Sequence, residues 1–378
     1  MNNFPTQMHE IISLVDKINP VDYAKTRNYS SGHISQLGPY ISRGVITPRW
    51  IYHRIRTQGY SAKECFKFLQ ELTWREYYQG CWEALGDKLF DDLKHSQGDE
   101  IRKGIPRCFF DGSLGVDIIN RAIDELNQSG FIHNHLRMYL ASVHTNFADC
   151  DWRMGAKWFY YHLLDGDIAS NTLSWQWVAG TFSNKKYWMN QSNMNHFFEG
   201  DQQGTFLDTE YENFPLSKRP AKLQDVISPQ ELDLCLSIDW LGKLKSDTLE
   251  IRETILSNYY HLDPLWHQDK QDAQRVLLLE PSHFQRFPIS SQCAQFMLDL
   301  SQNIPGIKIF VGEYSEFKAQ VGASVVHYQE HPTCTHYQGH SYPKETLHPI
   351  QGYYPSFFKY WKKCTQYRIA LDEKGEIF

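Results

Sequence analysis

A chain of 378 residues with 41% hydrophobic residues is long enough for one large or two ordinary cores. The net charge of −6 argues against a protein that coats nucleic acid by overall attraction, but it is compatible with a local basic groove. The eight cysteines stand singly without a CxxC pair, so no disulfide framework is visible, and a reducing, cytoplasmic compartment is favoured. No stretch has the roughly 18 apolar residues of a membrane span, so we predict a soluble protein without a membrane partner.

Residues 46 to 181 have the apolar spacing of α-helices. "TPRWIYHRIRTQ", "AKECFKFLQELTWREYYQGCWEAL", "GVDIINRAIDELNQSG", "FIHNHLRMYLASVHTNFA" and "DWRMGAKWFYYHLL" each repeat apolar residues three or four apart, with breaks at Gly, Pro and Asp. From about 200 to 250 the chain is polar and rich in turn residues, as in "EGDQQGTFLDTEYENFPLSKRPAK". We therefore predict a domain boundary near residue 200.

The pattern changes after residue 272. "RVLLLEP", "IKIFVGE" and "ASVVHYQ" predict short strands, and "SSQCAQFMLDLSQN" between the first two predicts a helix. This order is typical of a small βαβ-like unit with a parallel sheet, and no glycine-rich loop indicates a dinucleotide site there. The expected organisation is a helical domain over 1–200, a connector with some helix over 201–271, and a small α/β segment of unknown role over 272–378.

Polar residues fall on helix faces that should be apolar. In "LLDGDIASNTLSWQW", a helix that begins near Asp165 would place Asp167, Asn171 and Trp175 on one face. Similar polar groups occur in "KFLQELTWREYYQ" and "FIHNHLRMYLA". Each alone is compatible with a structural ion pair or a satisfied buried amide. Together they favour a binding site for a polar, ring-shaped ligand.

The ordered motifs "YAKTR", "ISQLGPYISRGVITPR", "FLQELTWREYY", "GFIHNHLRMYLAS", "DWRMGAKWF" and "LLDGDIASNTLSWQW" resemble the FAD-binding domain of the photolyase/cryptochrome family. The resemblance covers roughly residues 20 to 200. It implies a mainly α protein, with a photolyase-type all-helical FAD-binding domain followed by the small C-terminal α/β segment. The residues that it assigns to FAD are Tyr23, Arg27, Ser35, Leu37, Phe68, Arg75, Asn134, Arg137, Asp165, Asp167 and Asn171.

The resemblance also implies roles within the flavin site. Arg137 is the expected ion-pair partner of Asp165, and Asn171 is expected to face the reactive ring nitrogen of the flavin. Trp175 and Trp152 match members of the family's electron-transfer chain of tryptophans. The terminal tryptophan is missing from its usual segment, before "GVDIIN", and Trp158 and Trp188 are the candidates to replace it.

On the substrate side, Glu71 matches the carboxylate that hydrogen-bonds a cyclobutane pyrimidine dimer, and Trp74 and Trp177 match the indoles that stack against it. With Asn171, these are the implied catalytic residues. A dimer flipped out of DNA needs such an aromatic-walled pocket with a polar group. Arg49 is a predicted DNA contact together with other cations, namely Arg54, Arg56, Lys103 and Arg107. The expected partner is UV-damaged DNA, either single-stranded or with the lesion flipped out.

Two features depart from the family pattern. The diphosphate-binding turn lacks two hydroxyl donors, so backbone N–H groups are expected to hold the phosphates. Only about twenty residues precede Tyr23, so we expect neither an N-terminal antenna domain nor an antenna chromophore. The run "HYQEHPTCTHYQGH" contains histidines and a cysteine but matches no standard zinc spacing, and no metal site is predicted.

The predicted function is light-driven DNA repair by a deoxyribodipyrimidine photolyase-like lyase, in which reduced FAD passes an electron to the dimer. The alternative is a cryptochrome-like blue-light photoreceptor that uses the same FAD without repair. A flavin-binding relic that retains DNA affinity is a third possibility. Glu71 with Trp74 and Trp177 favours repair, because a sensor needs no lesion-binding carboxylate.

Overall fold

The computed structural model describes residues 4–216 and 218–373. The chain forms two compact units, and each is assembled from separated chain segments. Unit 1 consists of Asp22–Ile34 and Leu85–Ser237, and unit 2 of Phe4–Val21, Ser35–Ala84 and residues 238–373. Unit 2 thus combines early helices with the C-terminal α/β region, while the three-part division expected from the sequence stays a prediction.

Helices account for most of the regular structure. In chain order they are α1 (Met8–Asp16), α2 (Pro20–Thr26), α3 (Gly38–Ser42), α4 (Pro48–Thr57), α5 (Ala62–Leu85), α6 (Cys108–Asp111), α7 (Asp117–Ser129), α8 (Asn134–Ser142), α9 (Trp152–His162), α10 (Ile168–Ala179), α11 (Gln191–Phe198), α12 (Pro229–Cys235), α13 (Pro281–Arg286), α14 (Ser291–Ser301), α15 (Tyr314–Val321) and α16 (Phe357–Glu373). A π-helical turn, Val143–Phe147, continues α8, and short 3₁₀ turns lie at Gly86–Phe90, Tyr211–Leu216, Ala221–Leu223, Leu241–Lys243 and Pro332–Cys334.

Unit 1 is built around α8, α9 and α10. Helix α10 is buried on most sides, because both its polar and its apolar residues pack against α8 and α9. The close approach of α9 depends on Gly155, since a Cβ there would lie 2.3 Å from Cη2 of Trp175. Helix α10 begins at Ile168, and its N-cap is Asp167, two residues after Asp165, where the cap was predicted. The N-cap fixes the start of the helix, because the Asp167 carboxylate accepts a hydrogen bond from the backbone N–H of Ser170.

Strands form a two-stranded sheet in unit 1 and a five-stranded sheet in unit 2. The antiparallel pair is β1 (Ile105–Pro106) with β2 (Val226–Ile227). The larger sheet contains β3 (Thr254–Ser257), β4 (Gln274–Leu279), β5 (Ile307–Val311), β6 (Val326–Gln329) and β7 (His340–Tyr342). Its order is β5-β4-β3-β6-β7 and every pairing is parallel, with Thr254 opposite both Gln274 and Val326.

The three predicted strands, β4, β5 and β6, and the helix α14 are confirmed, as is a mainly helical fold with a small C-terminal α/β region. Strands β3 and β7 were not predicted from the sequence. Strand β3 has only four residues and lies in the region predicted as a connector, yet it is buried at the centre of the sheet. Within the described residues, no helix is both long and apolar enough to cross a membrane.

Candidate functional site

The Arg137–Asp165 ion pair lies in unit 1, next to the start of α10. Arg137 Nη1 donates to Asp165 Oδ2 at 3.0 Å, and Arg137 Nε donates to the backbone carbonyl of Ile132 at 3.0 Å. The side chains are only 20% and 11% exposed. Two bonds in different directions fix the guanidinium plane, so its remaining N–H groups have a defined orientation.

Asp167 and Asn171 occupy the first turns of α10. Asp167 is 3% exposed, and its Oδ1 accepts the N–H of Ser170 at 2.8 Å. Asn171 Nδ2 donates to the backbone carbonyl of Ala156 in α9 at 2.8 Å. The amide group of Asn171 is therefore held by a neighbouring helix, and its orientation does not depend on a ligand.

Two buried polar atoms of α10 have no hydrogen-bond partner within the described part of the chain: Ser170 Oγ and Trp175 Nε1. Leaving a buried polar atom without a partner costs about 1–3 kcal/mol, so such atoms require an explanation. Burial lowers the pKa of His133 to about 4, so its imidazole is neutral at pH 7. A guanidinium, two carboxylates, an amide and these orphaned groups fit the hydroxyl, phosphate and ring-edge groups of FAD.

The predicted electron-transfer tryptophans are buried in unit 1. Trp152 Nε1 donates to Asp92 Oδ1 at 2.8 Å. The ring of Trp175 packs edge-on against Phe159 at 4.9 Å, and Phe159 is 5.5 Å from Trp158, measured between ring centroids. Trp158, one of the two candidates for the missing terminal position, is therefore linked to Trp175 through a single intervening ring.

Other residues assigned to FAD have local partners within their own units. In unit 1, Arg27 Nη1 donates to the carbonyl of Ala24 at 3.0 Å, in the helix that also contains Tyr23, whereas Asn134 is exposed at the start of α8. In unit 2, Arg75 Nη1 donates to Ser42 Oγ at 2.6 Å. Three other residues were assigned to FAD. Ser35 precedes α3, and the side chains of Leu37 and Phe68 are buried in unit 2.

The predicted lesion-binding residues belong to different units. Glu71, on α5 in unit 2, forms an i,i+4 ion pair with Lys67 at 2.6 Å. Trp177, at the end of α10 in unit 1, is 37% exposed and lies 5.4 Å from the ring of Tyr187. The joint pocket that the resemblance implies for these residues stays a prediction.

Trp74 is covered by the C-terminal helix. Its ring stacks on Phe357 at 3.6 Å with an interplanar angle of 10°, and both residues belong to unit 2. Tyr77 and Tyr78 flank the same indole. This contact was not predicted from the sequence, because about three quarters of the chain separates the two residues and no local pattern links them.

Most cations proposed for DNA phosphates have protein partners. Arg54 binds Asp16 through two bonds of 2.6 and 2.8 Å, and Arg107 lies 2.7 Å from Asp225. Arg49 Nε is 3.9 Å from Glu345, on the edge of a cavity of about 260 Å³ in unit 2. An ion-paired guanidinium is a weaker phosphate ligand, because binding DNA must first disrupt the pair.

The histidine and cysteine run is held by separate partners. His336 Nε2 lies 2.8 Å from Glu280 Oε1, His327 Nε2 lies 2.7 Å from Glu253 Oε1, and Asn258 Nδ2 lies 3.1 Å from Cys334 Sγ. Across residues 4–216 and 218–373, no group of three or more His, Cys, Asp or Glu side chains is arranged to hold a metal ion.

Unit 1 thus brings an Arg–Asp pair, a capping aspartate and an oriented asparagine together on helices that also contain buried tryptophans. Residues 68–212 match the family model described as FAD binding domain of DNA photolyase. The resemblance to the photolyase/cryptochrome family and the expectation of FAD as the cofactor are therefore confirmed for this part of the chain, while the residues assigned to FAD stay predictions.

Two curated relatives and one solved structure illustrate the similarity. A deoxyribodipyrimidine photo-lyase of Streptomyces griseus is 32% identical over 167 residues, which is 41% of this chain and 35% of that protein. A cryptochrome DASH of Synechocystis is 28% identical over 199 residues, covering 49% of this chain and 40% of the relative. The crystal structure of a bacterial class III photolyase from Agrobacterium tumefaciens aligns with a TM-score of 0.41 at 27% identity, over 46% of this chain and 37% of that one. The matches thus span well under half the length of these relatives.

Proposed function

We propose that the protein binds FAD in unit 1 and uses it, when reduced, for light-driven repair of cyclobutane pyrimidine dimers in DNA. The observation that carries the proposal is the group of oriented polar side chains around the start of α10, inside the region that matches the FAD-binding domain. Single-stranded DNA is the proposed preferred substrate, because extruding the lesion costs least there. A cytoplasmic location is part of the same proposal, supported by eight free cysteines.

Bound, reduced FAD would supply the absorption of blue light and the electron that opens the dimer. The chain supplies binding, orientation and electrostatics. Arg137, held by Asp165 and the carbonyl of Ile132, presents its charge in a fixed direction. Asn171 presents its amide carbonyl from a side chain held by Ala156, so little reorganisation accompanies flavin reduction.

The proposed lesion contacts are Glu71, Trp74 and Trp177. Trp177 has an accessible ring, which a pyrimidine can stack against directly. Glu71 is half-buried and paired with a flexible lysine, which can release it. For Trp74 the proposal requires that a base take the place of the Phe357 ring, because Phe357 covers one face of the indole.

The test begins with purified protein whose FAD content is measured and whose flavin is reduced anaerobically. Oligothymidylate that contains cyclobutane dimers is added, and recovery of thymine absorbance is followed under blue light and in the dark. Glu71→Ala is compared with Asp124→Ala, which removes an exposed carboxylate from α7. We expect light-dependent recovery that falls at least tenfold only in Glu71→Ala. No recovery with fully reduced, bound flavin would refute repair of this lesion and favour the photoreceptor alternative.

A further inference from the structure

A basic and aromatic surface surrounds the C-terminal end of α10 in unit 1. It consists of Trp177, Tyr187, Lys94, Lys185 and Lys186, and we call it the α10 surface. All three lysines are exposed, and Trp177 is 37% exposed, which is high for an indole outside an interface. None of these lysines belongs to the motifs that carry the flavin resemblance.

The loop that contains two of the lysines is fixed to the end of the helix. Ser183 Oγ donates to the carbonyl of Trp177 at 2.8 Å, and the N–H of Tyr187 donates to the carbonyl of Val178 at 3.0 Å. Gly180 ends the helix with φ +81°, and a Cβ there would lie 3.2 Å from Cγ of Lys186. The loop therefore turns back along α10 and keeps the Lys185–Lys186 pair beside Trp177.

A second chain segment adds the third lysine. The N–H of Lys94 donates to the carbonyl of Thr181 at 2.8 Å, and Lys94 Nζ lies 4.6 Å from the centroid of the Phe182 ring. The cation–π contact and the backbone bond hold Lys94 against the same loop. Two separate parts of unit 1 thus present positive charge at one place.

The charge of the Lys185–Lys186 pair is not balanced by a carboxylate close to it in the sequence. Between Ile168 and Phe198 the sequence contains no Asp or Glu, although the whole chain has 44 acidic residues against 38 basic ones. No carboxylate within the described residues forms an ion pair with Lys185 or Lys186, in contrast to Arg54 and Arg107. Lysines also favour a helix C-terminus through the helix dipole, but that interaction does not account for an exposed tryptophan beside them.

We propose that the α10 surface binds a DNA strand, with Lys94, Lys185 and Lys186 on its phosphates and Trp177 against a base. Basic residues along a backbone with an aromatic platform for stacking are the pattern by which proteins hold single-stranded DNA. The choice of DNA rests on the proposed function. In this proposal the three lysines hold the strand next to Trp177, and they contact the phosphates in place of the ion-paired Arg54 and Arg107.

The experiment measures binding of full-length protein to fluorescein-labelled, undamaged oligothymidylate by anisotropy, in the dark, at several salt concentrations. Lys185→Gln with Lys186→Gln is compared with Lys362→Gln and Lys363→Gln, an exposed consecutive pair on α16 in unit 2. Both double variants change the net charge equally. Losing two phosphate contacts on a single strand should reduce the salt slope by about 1.4 and the affinity at 0.1 M salt by about 25-fold. The control pair should leave both unchanged.

A Trp177→Leu variant tests the stacking contact, and we expect it to lower affinity by roughly tenfold without changing the salt slope. Equal effects of the two lysine pairs, or no effect of Lys185 and Lys186, would overturn the inference. The readout requires no repair, so it is independent of the proposed activity. A wild-type protein that repairs dimers but binds DNA independently of these lysines refutes only the inference, and lysine-dependent binding without repair refutes only the proposed function.

Discussion

Replacing Phe357 with alanine should destabilise unit 2 and uncover Trp74. Phe357 is 3% exposed, stacks on Trp74 at 3.6 Å, and meets the ring of Tyr77 edge-on at 5.8 Å. Buried Phe-to-Ala substitutions cost about 3–5 kcal/mol, of which roughly 0.5–1.5 kcal/mol comes from the aromatic pair. We expect the free energy of unfolding to fall by about 3 kcal/mol. This is the low end of that range, because α16 can move to fill part of the cavity left by the phenyl ring.

The assay is urea unfolding followed by tryptophan fluorescence, together with acrylamide quenching of the native protein. Phe358→Ala is the matched control, since this neighbouring phenylalanine is 69% exposed and its removal should cost less than about 0.5 kcal/mol. Quenching should increase in Phe357→Ala alone. If a base takes the place of Phe357 on Trp74, that variant should also bind dimer-containing DNA more tightly than the wild type does, at a temperature where it is folded.

Equal stability of the two variants would refute the stack between α16 and α5. Loss of stability in Phe357→Ala without any gain in affinity for dimer-containing DNA would keep the stack. It would, however, remove Trp74 from the lesion pocket and leave Trp177 as the proposed aromatic contact.

Three further predictions concern unit 1. Asp165→Asn should weaken FAD retention at least tenfold, because Arg137 loses its charged partner. The FAD that stays bound after gel filtration measures this, with Asp124→Asn as the control. Equal FAD content in the two variants would contradict the prediction. Gly155→Ala should destabilise the protein by about 1–3 kcal/mol in urea unfolding, because the added methyl group meets Trp175; a neutral substitution would place α9 further from α10. His144 is fully buried with its pKa lowered to about 4 by burial, so its unfolded form binds a proton below about pH 6.5 while the native form stays neutral. The neutral, buried His144 therefore contributes to the free energy of unfolding fully above pH 6.5, and about 3 kcal/mol of that contribution is lost as the pH falls toward 4. His144→Gln should flatten the dependence of the free energy of unfolding on pH over that range.

The sequence predicted those features that arise from local chemistry. The helices of unit 1 follow from apolar spacing, and strands β4, β5 and β6 follow from short apolar runs beside turns. Strand β3 could not be recognised, because four residues give too short a pattern, and its burial comes from its neighbours in the sheet. The start of α10 was misplaced because Asp165 and Asp167 are both suitable caps. Asp167 caps the helix, and Asp165 forms the ion pair with Arg137.

Within the candidate site, the Arg137–Asp165 contact could be anticipated because both residues lie in motifs of the resembled family. The stack of Trp74 on Phe357 could not, since it is a long-range contact between residues outside any shared motif. The α10 surface was missed for another reason. Its lysines become significant only when folding places the loop after α10 and the segment around Lys94 next to one exposed tryptophan.

The assembly of unit 2 from three separated chain segments has a consequence for synthesis of the protein. Helix α5, with Trp74, leaves the ribosome 357 − 74 = 283 residues before Phe357. At a synthesis rate of roughly 5–20 residues per second, Phe357 is added about 15–60 s after Trp74, and the aromatic face of α5 is uncovered during that time. Unit 1, most of which is one continuous stretch, can fold during that interval. The nascent chain therefore contains a folded unit 1 before the C-terminal segment of unit 2 has been synthesised. We expect chaperones to bind the uncovered aromatic face of α5 during this time.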